Sequence, residues 1–255
     1  MNSPMRRDVT KLRLIHLANP ARFVGLTDRV LPWLALATLV AFAIGINRLY
    51  LAPDDYQQGA TVKIMFIHVP SAWLGMFAWG LMSAAALGTL VWRHPLAEVA
   101  LKAAAPLGAA FTFVCLITGA LWGRPMWGTY WVWDARLTSV LVLFLMYLGL
   151  LALWRAIEDP SRAARAAAVV SLVGAVNLPV VKFSVDWWNT LHQPESVFRS
   201  GGPTIHPAIL IPLLIMAVAF TLLFLALQLL AMRNEILRRR VRTLLLLEAQ
   251  RVREH

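Results

Sequence analysis

Six long apolar runs constrain this chain more than any other feature of its sequence. Crossing the hydrocarbon core of a bilayer takes about 20 predominantly apolar residues in helical form. Because lipid offers no hydrogen-bond partners for backbone N–H and C=O groups, such runs are predicted to be helices. The predicted helices cover residues 31–50, 65–92, 103–122, 137–157, 167–183 and 207–232. The sequence therefore predicts an all-α polytopic membrane protein, with six transmembrane helices in a single membrane domain over residues 1–255.

The charge content excludes two broad classes of function. Charged residues make up 15% of the chain, whereas soluble domains average about 25%, so a soluble enzyme is not expected. The net charge of +11 would suit a nucleic-acid-binding protein, but the basic residues lie at the ends of the apolar runs, where they set membrane orientation. We therefore expect contact with membrane lipid and none with nucleic acid. The single cysteine, Cys115, excludes an intramolecular disulfide and a CxxCH site for covalent haem, and is expected to pack in the core.

The distribution of Lys and Arg predicts the orientation of the six helices. With six spans both termini lie on one side of the membrane, and that side holds 18 of the 24 basic residues. The positive-inside rule makes it the cytoplasm. We therefore expect a cytoplasmic N-terminal segment at residues 1–30, the bundle at residues 31–232, and a basic cytoplasmic helix at residues 233–255. The amphipathic pattern of that last helix is compatible with anionic lipid, a cytoplasmic partner or a solvated tail.

Tryptophan is concentrated in two of the three loops on the opposite side, residues 122–136 and 184–206. The stretch "WGRPMWGTYWVWDARLTS" contains four of the eleven tryptophans, and "DWWNTLHQ" adds two. A belt of interfacial anchors would favour both sides of the membrane, so the asymmetry indicates a ligand site. We favour a short surface helix over residues 126–135, which would put Trp127, Trp131 and Asp134 on one face. If the segment is extended, Trp131 and Trp133 point the same way.

Three histidines, His68, His192 and His206, fall on the same side as these tryptophans. Zinc usually requires three or four ligands, and the chain has no compact set of them. Haem fits better, because its iron takes one or two axial imidazoles and its macrocycle packs on flat apolar surface. Haem propionates bind cationic side chains, and the basic residues available on that side are Arg124, Arg136, Lys182 and Arg199.

Several stretches of the chain resemble a known family. "WGTYWVWD" matches the WGxxWxWD signature of haem-handling membrane proteins at Trp127, Gly128, Trp131, Trp133 and Asp134. The longer stretches "IMFIHVPSAW", "GRPMWGTYWVWDARLTS" and "VNLPVVKFSVDWWNTLHQ" are similar to the CcmC family of cytochrome c maturation proteins, and the resemblance covers nearly the whole chain.

The resemblance implies a multi-pass protein of the bacterial inner membrane that binds haem b non-covalently at the periplasmic face. It implies that His68 and His192 are the axial iron ligands, and that haem is presented to the chaperone CcmE, with CcmA, CcmB and CcmD as further partners. The candidate haem-binding residues are His68, Trp122, Trp127, Gly128, Trp131, Trp133, Asp134, Arg136, Trp187, Trp188 and His192. We expect a haem-binding and transfer protein rather than a conventional enzyme, with no catalytic residue. The alternatives are a transporter subunit of an ABC-type export complex and a non-catalytic scaffold.

A vinyl edge of the haem must stay accessible to the chaperone. A shallow outer shelf is therefore expected rather than a buried pocket. His206 matches no ligand position of the family and remains a reserve candidate.

Overall fold

The computed structural model describes residues 19–194, 196–197 and 199–254, and this part of the chain is helical without any β-strand. A 3-10 helix at Ala60–Ile64 leads directly into the second α-helix. The α-helices are α1 (Pro20–Leu51), α2 (Met65–Leu90), α3 (Pro95–Trp127), α4 (Ala135–Ala156), α5 (Pro160–Gly174), α6 (Asn177–Trp187) and α7 (Pro207–Glu254).

Six helical segments are long and apolar enough to cross a membrane, which confirms the six-helix prediction. Five of them are the predicted helices with longer or slightly shifted ends, and the fifth span is a pair, α5 followed by α6. The pair breaks at Ala175 and Val176. The sequence predicted one helix over residues 167–183, so this break is a departure from the prediction. The ring of a proline clashes with the carbonyl four residues earlier, and Pro179 stands four residues after Ala175, which accounts for the break.

Several helices are longer than the apolar runs predict, because their ends are set by capping residues. Helix α1 begins at Pro20 rather than at residue 31, and the Asn19 side chain accepts a hydrogen bond from Ala21 N at 2.8 Å. Helix α3 begins at Pro95, a residue well suited to the first turn of a helix. Helix α7 contains no Gly or Pro after Pro212, so the predicted sixth span and the predicted C-terminal helix form one continuous helix.

The predicted surface helix over residues 126–135 is wrong. Helix α3 does not stop at Trp122 but continues to Trp127, and Gly128 ends it in the left-handed conformation with φ 75°. Residues 128–134 are not helical. Asp134 then caps α4, its Oδ1 accepting from Leu137 N at 2.7 Å.

The centre of the bundle is joined by one buried aromatic pair. The Tyr147 hydroxyl on α4 donates to Gly75 O on α2 at 2.7 Å, and its ring lies against Gly108 of α3, where a larger residue would overlap it. The ring of the fully buried Trp79 is inclined by 73° to this ring at a centroid distance of 4.8 Å, and Trp79 Nε1 donates to Ser171 O of α5 at 3.0 Å. These contacts connect four spans at mid-bundle, and polar groups buried in lipid need such partners.

Candidate functional site

One cavity lies at the end of the bundle where the 3-10 helix, the 128–134 segment and the chain after α6 come together. Both His68 and His192 line it. The cavity also reaches inward to Met76, Thr112 and Leu143, so it is deeper than the shallow shelf expected from the sequence.

His68 is held by two groups of α3. It is the fourth residue of α2, and its Nδ1 lies 3.1 Å from Cys115 O and 3.1 Å from Thr118 Oγ1. A carbonyl oxygen can only accept, so Nδ1 carries the hydrogen and donates it. The Thr118 hydroxyl donates its own hydrogen to Val114 O at 2.6 Å, which leaves its oxygen free to accept from His68. This arrangement leaves Nε2 of His68 with an available lone pair, the form that binds a metal.

His192 has the same arrangement on the other side of the cavity. Its Nδ1 lies 3.0 Å from Gln193 O, so the carbonyl again assigns the hydrogen to Nδ1 and the lone pair to Nε2. Burial lowers the pKa of His192 below the ordinary histidine value, and Arg136 lowers it further, while the hydrogen bond to Gln193 and the charge of Asp134 act in the opposite direction. The net effect favours a neutral imidazole, which is the ligating form.

The two rings are spaced as one metal ion between them would require. Their centroids are 6.4 Å apart and their planes are inclined by 34°. A metal–imidazole bond is about 2 Å long, and half of each ring adds roughly 1 Å. Two imidazoles on opposite sides of one ion therefore have centroids about 6 Å apart. The donor set thus fits an iron with two axial histidines.

Three of the six predicted tryptophans line the cavity: Trp122, Trp127 and Trp131. The rings of Trp122 and His68 are inclined by 73° with their centroids 5.7 Å apart, and the centroids of Trp127 and His192 are 6.5 Å apart. The other three do not line it and are at least half exposed, namely Trp133, Trp187 and Trp188. The cavity wall is therefore aromatic beside both histidines, and a second group of indoles faces outward next to it.

The polar candidates have different positions. Arg136 lines the cavity, and it also donates from Nε to Ser184 Oγ at 2.8 Å, which joins α4 to α6. Asp134 Oδ2 and Trp131 Nε1 are buried without a hydrogen-bond partner among the described residues. The other carboxylate oxygen of Asp134, Oδ1, caps α4 as described above.

The remaining predicted residues lie outside the cavity. Arg124 donates to the carbonyl of Gly128 and its guanidinium lies 5.6 Å from the centre of the Tyr130 ring, so it closes the turn after α3. His206 Nδ1 accepts from Ala208 N at 3.2 Å and caps α7. Lys182 and Arg199 do not line the cavity either.

Comparison with known proteins decides the family. The family model described as Heme exporter protein C matches residues 13–247. The chain belongs to the Heme exporter protein C family. Heme exporter protein C of Bradyrhizobium diazoefficiens is 74% identical over 241 residues, 94% of this chain and 92% of the relative. The Escherichia coli K12 protein of the same name is 47% identical over 225 residues, 88% and 91% of the two chains, and that of Paracoccus denitrificans is 45% identical over 229 residues, 89% and 95%.

The family match covers every candidate site residue and most of the basic C-terminal extension, since it ends at residue 247. The family model therefore covers the C-terminal extension up to residue 247, although none of the family motifs described above lies in it.

Sequence reasoning missed the residues that hold the cavity together. Gln58 Oε1 accepts from Trp122 Nε1 at 3.0 Å, and Gly119 leaves room for the His68 ring, since a Cβ there would lie 3.0 Å from Cε1. Cys115, Gly119 and Trp122 follow the i, i+4, i+7 spacing of one helix face. That spacing was the signal in the sequence that one face of α3 lies against His68.

Proposed function

We propose that this protein binds haem b non-covalently through His68 and His192 and presents it to the haem chaperone CcmE during the maturation of c-type cytochromes. The observation that carries the proposal is the matched pair of imidazoles. Each donates from Nδ1 to a backbone carbonyl, each keeps Nε2 free, and their centroids are 6.4 Å apart. The name of the relatives, Heme exporter protein C, supports haem as the cargo.

The other lining residues suit the remaining parts of a haem. Trp122 and Trp127 offer flat apolar surface beside the two ligands. Arg136 supplies a cationic donor, and the unpaired Trp131 Nε1 supplies a second N–H, both suited to propionate oxygens. His68 and His192 would hold the iron as two neutral imidazoles, which would leave no site on it for oxygen.

The exposed tryptophans have a different role in this proposal. Trp133, Trp187 and Trp188 are too exposed to form the cavity wall. Aromatic residues of this kind are enriched at protein interfaces. We assign them to contact with the chaperone at the mouth of the cavity, where a haem edge has to be reachable.

Orientation follows from the distribution of basic residues. The cavity lies at the end of the bundle that holds few Lys and Arg, so the proposal puts it at the periplasmic face of the bacterial inner membrane and both termini in the cytoplasm. Assembly with CcmA, CcmB and CcmD belongs to the same proposal. No ATP-binding motif is recognisable in the sequence, so energy input is assigned to these partners.

A passage for haem through the bundle is less well supported than binding and presentation. The deepest cavity residues are Met76, Thr112 and Leu143. About one helical turn further along the same helices lie Trp79, Gly108 and Tyr147, where the two aromatic rings are fully buried and pack against each other, and the Tyr147 ring also lies against the glycine. The bundle is therefore closed directly below the cavity.

The absorption spectrum of the purified protein tests the proposal. Protein extracted in detergent from a haem-replete host should show the spectrum of haem with two axial histidines, and His68→Ala and His192→Ala should each abolish that spectrum. His206→Asn is the matched control, because His206 is near the same end of the bundle but outside the cavity, and asparagine can still cap α7. A haem-free wild type, or an equal loss in the control, would refute the assignment. A reporter fused after residue 130 should read as periplasmic.

A further inference from the structure

The loop between α1 and α2 contributes a polar side chain to the cavity, that of Gln58. This residue lines the cavity together with Trp122 and His68, and its Oε1 accepts from Trp122 Nε1 at 3.0 Å. The centroid of the Trp122 ring is in turn 5.7 Å from that of His68. The carboxamide of Gln58 is therefore separated from one of the proposed iron ligands by a single indole ring.

Short hydrogen bonds fix the backbone around Gln58. Asp55 Oδ1 accepts from the backbone N–H groups of Gln57 and Gln58, each at 2.9 Å. Asp55 and Gly59 exchange two backbone hydrogen bonds, of 3.2 and 2.8 Å, and Thr61 Oγ1 donates to Gln58 O at 2.6 Å. A side chain that is held both at its backbone and at its amide oxygen is pre-organised, so little conformational freedom is lost when a ligand binds to it.

The hydrogen bond from Trp122 also determines which end of the carboxamide is available. An indole nitrogen can only donate, so the amide oxygen of Gln58 faces it, and the NH2 group remains for another partner. Within the part of the chain that the structure describes, Nε2 of Gln58 forms no hydrogen bond. The other carboxamide at the cavity, that of Gln193, is exposed, and no described residue holds it by a hydrogen bond. Gln58 therefore supplies the cavity with a fixed hydrogen-bond donor.

The chemistry of the proposed cargo selects the acceptor. The methyl and vinyl groups at the edge of a haem are apolar, whereas its propionates are carboxylates, which accept strong hydrogen bonds from N–H groups. We propose that the Gln58 amide donates to a haem propionate and makes the cavity selective for haem with free carboxylates. This inference rests on the proposed function. It adds a donor from a third segment of the chain to Arg136 of α4 and to Trp131 of the segment before α4.

A comparison of haem with its dimethyl ester tests this assignment. Both are titrated into haem-depleted, full-length protein in detergent, as wild type and as Gln58→Glu. The glutamate can still accept from Trp122 Nε1, but it has no N–H to donate and it repels a propionate. Hydrogen bonds to charged groups are stronger than neutral ones, so we expect the affinity for haem to fall about tenfold or more. The affinity for the dimethyl ester should stay at the wild-type value, which also shows that the variant is folded.

Gln57→Glu is the matched control. It makes the same change of charge at the adjacent residue, whose side chain is exposed and does not line the cavity, so it should bind both ligands as the wild type does. An unchanged haem affinity in Gln58→Glu, an equal loss for haem and ester, or an equal loss in Gln57→Glu would each overturn the assignment.

The same titration separates this inference from the proposed function. If the wild type binds haem with the spectrum of two axial histidines and Gln58→Glu does so equally well, only the role of Gln58 is refuted. If the wild type binds neither haem nor its ester, the proposed function is refuted, and the role of Gln58 with it.

Discussion

Gly119→Ala is expected to weaken haem binding without unfolding the protein. The added Cβ would lie 3.0 Å from His68 Cε1 and 3.4 Å from Nδ1, whereas carbon atoms in contact prefer about 3.5–4.0 Å. The ring must therefore retreat by about 0.5 Å. Its Nδ1 is already 3.1 Å from Cys115 O and from Thr118 Oγ1. A retreat of the ring away from these two oxygens would lengthen both distances to about 3.6 Å, beyond hydrogen-bonding distance.

The expected magnitude follows from that displacement. Losing one hydrogen bond costs about 1 kcal/mol, and a metal ligand has to be held within about 0.5 Å of its productive position. We therefore expect haem affinity to fall by about five- to tenfold. Helix propensity acts in the opposite direction on folding, because alanine in a helix interior is favoured over glycine by about 1 kcal/mol. Thermal stability of the haem-free protein should consequently change little.

Haem titration of detergent-purified, haem-depleted protein measures this change, and a thermal melt accompanies it. Gly80→Ala and Gly149→Ala make the same substitution within α2 and α4, where an added Cβ meets nothing within 4 Å, so both should bind haem as the wild type does. The reasoning is refuted if Gly119→Ala binds haem with wild-type affinity, or if the loss merely follows a loss of folded protein.

Three further outcomes are expected from the same structure. Thr118→Val removes the hydroxyl beside His68 Nδ1 and should shift the reduction potential of bound haem away from the wild-type value. Thr118→Ser keeps a hydroxyl and should have the wild-type potential. A redox titration that gives the same potential for the wild type and Thr118→Val would contradict this. Because burial lowers the pKa of His192, its imidazole stays neutral as pH falls to about 6.5, so haem binding should be constant down to that pH and be lost below it; a spectroscopic midpoint above pH 6.5 would disagree. Gly108→Ala places a Cβ in the Tyr147 ring and should lower the free energy of unfolding by about 1–3 kcal/mol, measured against Gly149→Ala; an unchanged melt would show that the bundle is not closed there.

The six spans were predictable because the bilayer imposes a length on apolar runs. The ends of the helices were less predictable, because an apolar run marks the part of a helix that lies in lipid and not the full length of the helix. The starts of α1 and α3 are set by Asn19–Pro20 and His94–Pro95, which lie outside the apolar runs. The continuation of α3 through Gly123 and Pro125 was missed because both residues are common in loops, although spanning helices tolerate them.

At the site, residue types predicted several side chains that line the cavity, but not the groups that hold them in place. Histidines and tryptophans at one end of the bundle predicted the composition of the cavity. The groups that set the protonation of the two imidazoles are backbone carbonyls, Cys115 O and Gln193 O. Every residue has a carbonyl, so no sequence pattern singles these out. The division of the tryptophans into lining and exposed groups likewise depends on the turn at Gly128, whose conformation redirects the chain after α3.

The two histidines differ in how firmly they are attached to the helix bundle. His68 belongs to a helix, and both of its partners are on another helix, 47 and 50 residues away in sequence. His192 lies between helices, and its Nδ1 partner is the carbonyl of the adjacent residue, so that contact moves with the loop and does not tie it to the bundle. If both histidines hold haem as proposed, an opening of this loop would move His192 away and leave His68 in position on its helix. This asymmetry suits the proposed function, because a protein that presents its haem to a chaperone needs one ligand that remains and one that can leave.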